Sequence, residues 1–196
     1  MIPIRTVIID DELYANERLK KLLTSFSQIT VLETFTNSEL GLKFILKQKP
    51  ELIFLDVELE HNISAFDIIN QLNESLYQPH IILVTAFPHY SIKAIKNEVF
   101  DYILKPVDID ELRATIDRFI EHVSLKANQM LKGFNMLSQR ESEVLKFVFE
   151  GKSSNEIADL LIISINTVHT HRRNILKKTG AGSIIDLIRI NQNAHD

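Results

Sequence analysis

Hydrophobic residues follow two alternating patterns over the first 125 residues. Short runs rich in β-branched residues, such as TVIID, LIFLD and HIILVTA, are separated by longer segments whose apolar residues recur every three or four positions. The first pattern predicts buried strands and the second predicts amphipathic helices. Five strands alternating with five helices predict an α/β domain, a doubly wound parallel sheet covered on both faces. In that architecture ligands bind beyond the carboxyl ends of the strands.

After Leu137 only helical periodicity is visible. SQRE and SSNE, which begin at Ser138 and Ser153, are capping boxes, and Gly151 and Gly180 stand where helices should end. We predict an all-α region of four short helices, at 138–149, 154–161, 165–179 and 183–191. The chain is therefore expected to form two domains, residues 1–125 and 137–196, joined by the end of the fifth helix and a linker at 126–136.

Composition and charge agree with two units of different character. The 196 residues are 45% hydrophobic and 24% charged, which is typical of a globular protein. The absence of cysteine excludes disulfides and thiolate metal sites. Residues 1–125 carry 12 basic and 19 acidic side chains, a net −7, whereas residues 126–196 carry 10 basic and 7 acidic ones, a net +3. With neither a signal peptide nor an apolar stretch long enough to cross a bilayer, a cytoplasmic protein without membrane contact is expected.

Charged and hydroxyl side chains stand at the ends of four predicted strands. Asp10 and Asp11 close the first strand, Asp56 the third, Thr85 the fourth and Lys105 the fifth. Because parallel strands end at one edge of the sheet, these side chains should converge, and Mg²⁺ suits such a group of oxygen ligands. A carboxylate beside a metal ion and a lysine can accept a phosphoryl group as an aspartyl phosphate. Each acid alone is better explained as a helix cap or a solvated loop residue, so the joint pattern carries the hypothesis.

Residues 4–122 resemble the receiver domain of two-component response regulators, through IIDDE, LIFLDVEL, ILVTA and FDYILKP. The resemblance implies the flavodoxin-like strand order 2-1-3-4-5 and phosphorylation of Asp56 by a sensor histidine kinase. It also implies that Asp11, Asp56 and the main-chain carbonyl of Glu58 bind Mg²⁺, with Asp10 acting largely through water.

The same resemblance assigns a contact and a switch. Lys105 would contact the phosphoryl group, and its bond to Pro106 would be cis. Thr85 and Tyr102 would move inward after phosphorylation, and the fourth helix and fifth strand would repack.

Two features depart from the receiver pattern. In DVELEHNISAF, Glu60 and Ala65 stand near the places where receivers usually carry a proline and a glycine, and the loop has one extra residue. The resemblance therefore leaves open the shape of this loop and, with it, the rate or lifetime of phosphorylation. In addition, TAFPHYSIKAIKNEVFDYILKP is similar to receivers usually joined to a β-rich LytTR-type DNA-binding domain, whereas the second half of this chain is helical.

The segment SINTVHTHRRNILKKTG predicts a helix with two faces. Its apolar residues are Ile165, Val168, Ile175 and Leu176; its polar stripe is Asn166, Thr170, Arg173 and Lys177, with His169 beside it. Such a helix fits the major groove of DNA, and with the preceding SNEIADLL it forms a helix-turn-helix. The alternative is a solvated basic face on an ordinary helical bundle. In either case His171 is expected to pack against its own domain and not to contact bases.

Residues Leu137–Ile190 resemble the LuxR/NarL-type helix-turn-helix through nearly their full length. The resemblance implies that base edges are contacted by His169, Thr170 and Arg173, and that candidates for phosphate contacts are Thr167, Arg172, Lys177 and Lys178. The last helix, SIIDLIRI, would pair with its copy, so an active homodimer would bind an inverted repeat in double-stranded DNA.

The hypothesis is therefore a DNA-binding response regulator that is not an enzyme. One alternative is a Mg²⁺-dependent phosphotransferase of the haloacid-dehalogenase type, whose usual D-x-D near the first strand is missing because Asp10 and Asp11 are adjacent. The other is a DNA-binding regulator whose receiver works without phosphorylation.

Overall fold

The computed structural model describes residues 3–59, 63–75, 77–90, 94, 97 and 99–193. The chain divides into two compact units, residues 1–119 and residues 120–196. We refer to them as the N-terminal and C-terminal units and describe each by itself.

The N-terminal unit contains a five-stranded parallel sheet. Its strands are β1 (Ile4–Ile9), β2 (Ile29–Phe35), β3 (Leu52–Leu55), β4 (His80–Thr85) and β5 (Asp101–Leu104). They are arranged in the order β2-β1-β3-β4-β5, with every neighbouring pair parallel. The predicted fold class and strand order are therefore confirmed.

Helices connect these strands. They are α1 (Leu13–Leu23), α2 (Ser38–Gln48) and α3 (Ala65–Asn73), with a short 3₁₀ helix at Pro88–Tyr90 and a long helix α4 (Ile109–Phe134) after β5. The helix expected in YSIKAIKN lies mostly outside the described residues. Four of the five predicted receiver helices are thus observed.

The sheet is buried on both faces, as near-continuous apolar strands require. All four residues of β3 are fully buried. Ile9 pairs with Leu55, and Leu55 pairs with Leu83, so β1, β3 and β4 are in register at their carboxyl ends. The residues that follow these strands are consequently delivered to one edge of the sheet.

Helix α4 is longer than the sequence indicates. Leu112, Ile116 and Phe119 are fully buried in the N-terminal unit. Residues 121–126 are exposed, and then Met130 becomes 2% exposed within the core of the C-terminal unit, where Phe134 also packs. Most of the predicted linker at 126–136 is therefore helical. The periodicity weakens because one helix contributes to two cores, with a solvated stretch between them.

The C-terminal unit adds four helices to the end of α4. They are α5 (Gln139–Phe149), α6 (Ser154–Leu161), α7 (Ile165–Thr179) and α8 (Ile184–Asn193), close to the predicted bounds. The capping boxes at Ser138 and Ser153 are both formed, and Gly180 adopts the left-handed conformation (φ 68°) that ends α7.

The core of the C-terminal unit gathers apolar side chains from all of these helices. It includes Val144, Val148, Ile157, Val168 and Ile175, each at most 2% exposed. Over the parts of the chain that the structure describes, no helix combines the length and apolar character that a membrane span needs.

Candidate functional site

The strand-end side chains converge as the sequence predicts. Asp10 and Asp11 follow β1 and Asp56 follows β3, and one carboxylate oxygen of each lies within 4.8 Å of the others. The Lys105 Nζ is 2.7 Å from Asp10 Oδ2 and 2.7 Å from Asp56 Oδ2. One ammonium therefore bridges the ends of β1, β3 and β5.

Main-chain groups hold the two inner carboxylates. Asp10 Oδ1 accepts the Glu12 N–H at 3.0 Å, and Asp56 Oδ1 accepts the Glu58 N–H at 3.4 Å. The second oxygen of each faces Lys105. These contacts leave Asp11, which is partly exposed, on the cleft side of the group.

Asn16 supports this edge and was not predicted from the sequence. It is 1% exposed, and its amide donates to the carbonyl of Asp10 at 2.6 Å and to that of Phe35 at 3.2 Å. It thereby ties α1 to the ends of β1 and β2. The sequence contains one indication of this role: Asn16 lies three residues before Leu19 and seven before Leu23, and therefore on the buried side of α1.

Burial controls the electrostatics of the site. The side chains of Asp10, Asp56 and Lys105 are 5%, 7% and 17% exposed. Burial raises the pKa of Asp56, and the charge of Asp10 adds to this effect, while Lys105 opposes it without cancelling it. Burial alone would lower the pKa of Lys105, but its hydrogen bonds to both carboxylates raise it. The two carboxylates thus favour the charged form of Lys105, which lies beside a group of three carboxyl side chains.

The donor set fits Mg²⁺. Three carboxylate oxygens converge beside an open cleft, and Mg²⁺ takes oxygen ligands while keeping part of its water shell. The cleft is also lined by Glu58, whose main-chain carbonyl is the expected fourth protein ligand.

The expected switch residues lie at the ends of β4 and β5. Thr85 is fully buried, and its Oγ1 accepts the Phe87 N–H at 3.3 Å. The Tyr102 hydroxyl donates to the Phe87 carbonyl, and burial raises the pKa of Tyr102. Both side chains are therefore fastened to the same loop after β4.

The Lys105–Pro106 bond and the loop after Asp56 lie beside the cleft. The Lys105–Pro106 peptide bond is cis, as predicted. In the altered loop after Asp56, Glu60 lies outside the described residues, and Ala65 begins α3 behind a capping box formed by Ser64. The loop rejoins regular structure at that capped helix.

In the C-terminal unit, α7 presents the predicted polar stripe. His169, Thr170, Arg173 and Lys177 are all exposed, whereas the opposite side is buried. The apolar face differs from the prediction at Ile165, which is 45% exposed. It is the first residue of the helix and lies beyond the core contact.

The other predicted DNA-contacting residues make contacts within the unit. The Arg172 guanidinium donates to the Lys152 carbonyl at 3.2 Å, and burial lowers its pKa. Lys178 Nζ lies 2.7 Å from Glu141 Oε2. Thr167 is half-buried, and its backbone N–H donates to the capping Ser164 hydroxyl at 3.1 Å.

His171 is half-buried on α7, in agreement with the prediction that it packs against its own domain. Its Nδ1 is buried and finds no hydrogen-bond partner among the described residues. A role in reading bases is therefore not assigned to it.

Comparison with known proteins covers both units. The family profile of the response regulator receiver domain matches residues 6–117, and that of the luxR family of bacterial regulatory proteins matches residues 135–191. An uncharacterised response regulatory protein of Shewanella oneidensis is 36% identical over 128 residues, 65% of this chain and 53% of that protein. The transcriptional regulatory protein BtsR of Escherichia coli is 31% identical over 145 residues, 74% of this chain and 57% of that protein.

The chain spans about half the length of these curated relatives. Among solved structures, a DNA-binding response regulator of the LuxR family from Staphylococcus aureus is 25% identical, with a TM-score of 0.54 over 59% of this chain and 97% of that one. These similarities do not support the phosphotransferase alternative. The strand-end aspartates joined by a lysine and the basic helix of the C-terminal unit agree with both family matches. The chain therefore belongs to the response regulators, with a receiver domain followed by a LuxR-family helix-turn-helix domain.

Proposed function

We propose that this is a cytoplasmic protein in which Asp56 accepts a phosphoryl group from a sensor histidine kinase, and that this modification controls sequence-specific DNA binding by α7 and hence transcription. The observation that carries the proposal is the position of the Lys105 Nζ, 2.7 Å from the carboxylates of both Asp10 and Asp56. From this position the Lys105 ammonium can contact a phosphoryl oxygen on Asp56 without any movement of the strands.

The transfer needs little from the protein besides placement and charge. An Asp56 oxygen attacks the phosphorus of a phosphohistidine, the P–N bond breaks, and its electron pair returns to the imidazole, which takes up a proton. Lys105 offsets charge on the phosphoryl oxygens. A bound Mg²⁺, held by Asp10, Asp11, Asp56 and the Glu58 carbonyl, would offset the remainder.

The added charge acts on the loop after β4. A phosphoryl group carries strong hydrogen-bond acceptors, and the Thr85 hydroxyl, now bonded only to a backbone N–H of that loop in the described structure, would turn toward them. Tyr102 is bonded to the same loop through the Phe87 carbonyl and would move with it. The fourth helix predicted from the sequence and the fifth strand would then repack, and this surface would alter contacts between receivers or with the DNA-binding domain.

DNA binding rests on the exposed stripe of α7. We assign base contacts to His169, Thr170 and Arg173, and phosphate contacts to Lys177 and Thr167, with Arg172 and Lys178 as further candidates. The net charge of +3 over residues 126–196 supports attraction to DNA. Pairing of α8 with its copy would give a homodimer and an inverted-repeat operator.

The first experiment maps phosphorylation. The full chain is incubated with Mg²⁺ and phosphoramidate and mapped by mass spectrometry, beside Asp56→Asn and, as a matched control on an exposed surface of α4, Asp117→Asn. We expect one phosphoryl group on Asp56, present in the control and missing in Asp56→Asn. Undiminished labelling of Asp56→Asn refutes the assignment.

The second experiment tests the coupling. Beryllofluoride with Mg²⁺ mimics the phosphoryl group, and DNA affinity and oligomeric state are measured with and without it. A change in either supports control by phosphorylation. Labelling of Asp56 without any change in DNA affinity or oligomeric state identifies the chain instead as a regulator that binds DNA independently of phosphorylation.

A further inference from the structure

The carboxyl end of α7 is joined to the start of α5 by one side chain. Glu141 Oε2 accepts the Ser138 N–H at 2.7 Å, which completes the capping box of α5, and lies 2.7 Å from Lys178 Nζ. The Glu141 side chain is 5% exposed, whereas that of Lys178 is 36% exposed. A buried carboxylate thus connects two helix ends that are far apart in the sequence.

The ion pair satisfies a group that would otherwise be costly to bury. Burial alone would raise the pKa of Glu141, but the hydrogen bonds from Lys178 and Ser138 outweigh burial and lower it. Removing one partner of such a pair leaves a buried charge without compensation, which destabilises a protein strongly. If Lys178 moved to a DNA phosphate, Glu141 would lose this cation and keep the hydrogen bond from the Ser138 N–H.

Lys177 and Lys178 differ in their surroundings although they are adjacent. Lys177 lies four residues after Arg173 and seven after Thr170, on the exposed stripe of α7. Lys178 is rotated by about 100° around the helix. Its carbonyl oxygen is so close to α4 that a Cβ added at Gly133 would lie 2.6 Å from it. Lys178 lies three residues after the buried Ile175 and next to the buried Thr179, so it stands at the edge of the packed side of α7, with its side chain 36% exposed.

We propose that Lys178 is a positioning residue for DNA recognition that acts through Glu141, and that it does not contact a DNA phosphate. The ion pair holds the last turn of α7 against α5. It thereby fixes the position and orientation in which Arg173 and Lys177 meet the duplex. This inference rests on the proposed DNA-binding function, and it separates Lys178 from the other candidates for phosphate contacts.

Salt dependence and a charge-neutral partner variant distinguish the two roles. A labelled duplex is selected from a random-sequence pool by the full chain without substitutions, in the presence of beryllofluoride and Mg²⁺. The Kd of each variant for this duplex is then measured under the same conditions from about 50 to about 200 mM salt. We expect Lys178→Gln to weaken binding on the order of tenfold without changing the slope of log Kd against log salt. Lys177→Gln, the matched control, should reduce that slope by about one.

Glu141→Gln gives the decisive comparison. If Lys178 positions the helix, Glu141→Gln weakens binding as Lys178→Gln does, and the double variant is no weaker than either single one. If Lys178 contacts phosphate, Glu141→Gln releases the lysine, so affinity stays or increases, which overturns the inference. A reduced salt slope for Lys178→Gln also overturns it.

Two controls complete the design. Lys178→Arg keeps the charge and the hydrogen bond and should restore binding, and far-UV circular dichroism verifies that each variant is folded. Failure of the chain without substitutions to select any duplex, both with and without beryllofluoride and Mg²⁺, would refute the DNA-binding proposal, and this inference with it. Failure of the DNA-binding proposal is seen as a lack of duplex selection by the chain without substitutions. Failure of the inference alone is seen only in the affinities and salt slopes of the variants.

Discussion

Substitution of Gly133 tests whether the end of α4 is part of the C-terminal unit. A Cβ at this position would lie 2.6 Å from the Lys178 carbonyl oxygen and closer still to the Thr179 Cα. Both are backbone atoms, so no change of side-chain rotamer can relieve the contact. Gly133→Ala therefore forces α4 and α7 apart, in the region where Met130 is 2% exposed in the same core.

The size of the effect follows from two opposing contributions. Overpacking of a well-packed core costs about 1–3 kcal/mol, and a clash between two backbones belongs at the upper end of that range. Alanine improves on glycine in a helix interior by about 1 kcal/mol, and by less in the last turn where Gly133 stands. We expect a net loss of about 2 kcal/mol, which for a unit of this size lowers Tm by roughly 10 °C.

Gly41→Ala is the matched control in the other unit. It too is a glycine within a helix, but its added Cβ would meet the Ile9 side chain, with Cδ1 at 2.5 Å and Cγ1 at 2.9 Å. Because a side chain moves more easily than a backbone, overpacking here should cost about 1–2 kcal/mol, the lower part of the usual range, and the gain of about 1 kcal/mol from alanine in a helix interior offsets much of it. Gly133→Ala is expected to lose more stability than Gly41→Ala.

Hydrogen exchange read by mass spectrometry in increasing urea assigns each loss to its unit. We expect faster exchange in α5 to α8 for Gly133→Ala and in the N-terminal unit for Gly41→Ala. Unchanged exchange in α7 of Gly133→Ala would show that α4 does not support the recognition helix.

Three further predictions concern charge. Because the folded-state pKa of Asp56 is raised, its contribution to stability is complete below the unfolded pKa of about 3.9 and is lost as pH rises through the folded value. Asp56→Asn should therefore raise the free energy of unfolding of the N-terminal unit at pH 7, by an amount that vanishes in acid; urea denaturation at several pH values checks this, and a less stable variant at pH 7 contradicts it. The pKa of Glu141 is lowered, so its contribution is present above the unfolded pKa of about 4.3 and is lost as pH falls through the folded value. The protection factors of the α5 amides, which correct the exchange rates for the intrinsic slowing of exchange in acid, should fall in acid for the unmodified chain and fall less in Glu141→Gln; identical pH profiles of the protection factors would exclude the ion pair. Finally, Lys105→Met removes the ammonium that contacts Asp10 and Asp56 and should destabilise the metal-free N-terminal unit by roughly 3 kcal/mol. Saturating Mg²⁺ should raise the Tm of this variant more than that of the unmodified chain, and an equal rise in both would argue against a shared carboxylate site.

The sequence by itself determined the architecture and the chemistry of the strand ends. Strand and helix periodicities are local, and the apolar runs that end in Asp10, Asp56 and Thr85 identify buried parallel strands and the edge at which they finish. The capping boxes at Ser138 and Ser153 are local for the same reason, since each is completed within four residues. These features needed no knowledge of distant contacts.

Tertiary structure decided which of the similar residues are paired within the protein. Lys177 and Lys178 are equivalent in any count of charge, yet only Lys178 meets a buried carboxylate, because Glu141 is brought to it by the packing of α5 on α7. Asn16 supports the acidic edge through carbonyls that come together only when β1 and β2 pair. Helix α4 continues past the predicted domain boundary because a second core covers Met130. Contacts between residues distant in the chain leave no periodic trace in the sequence, so only the folded structure reveals them.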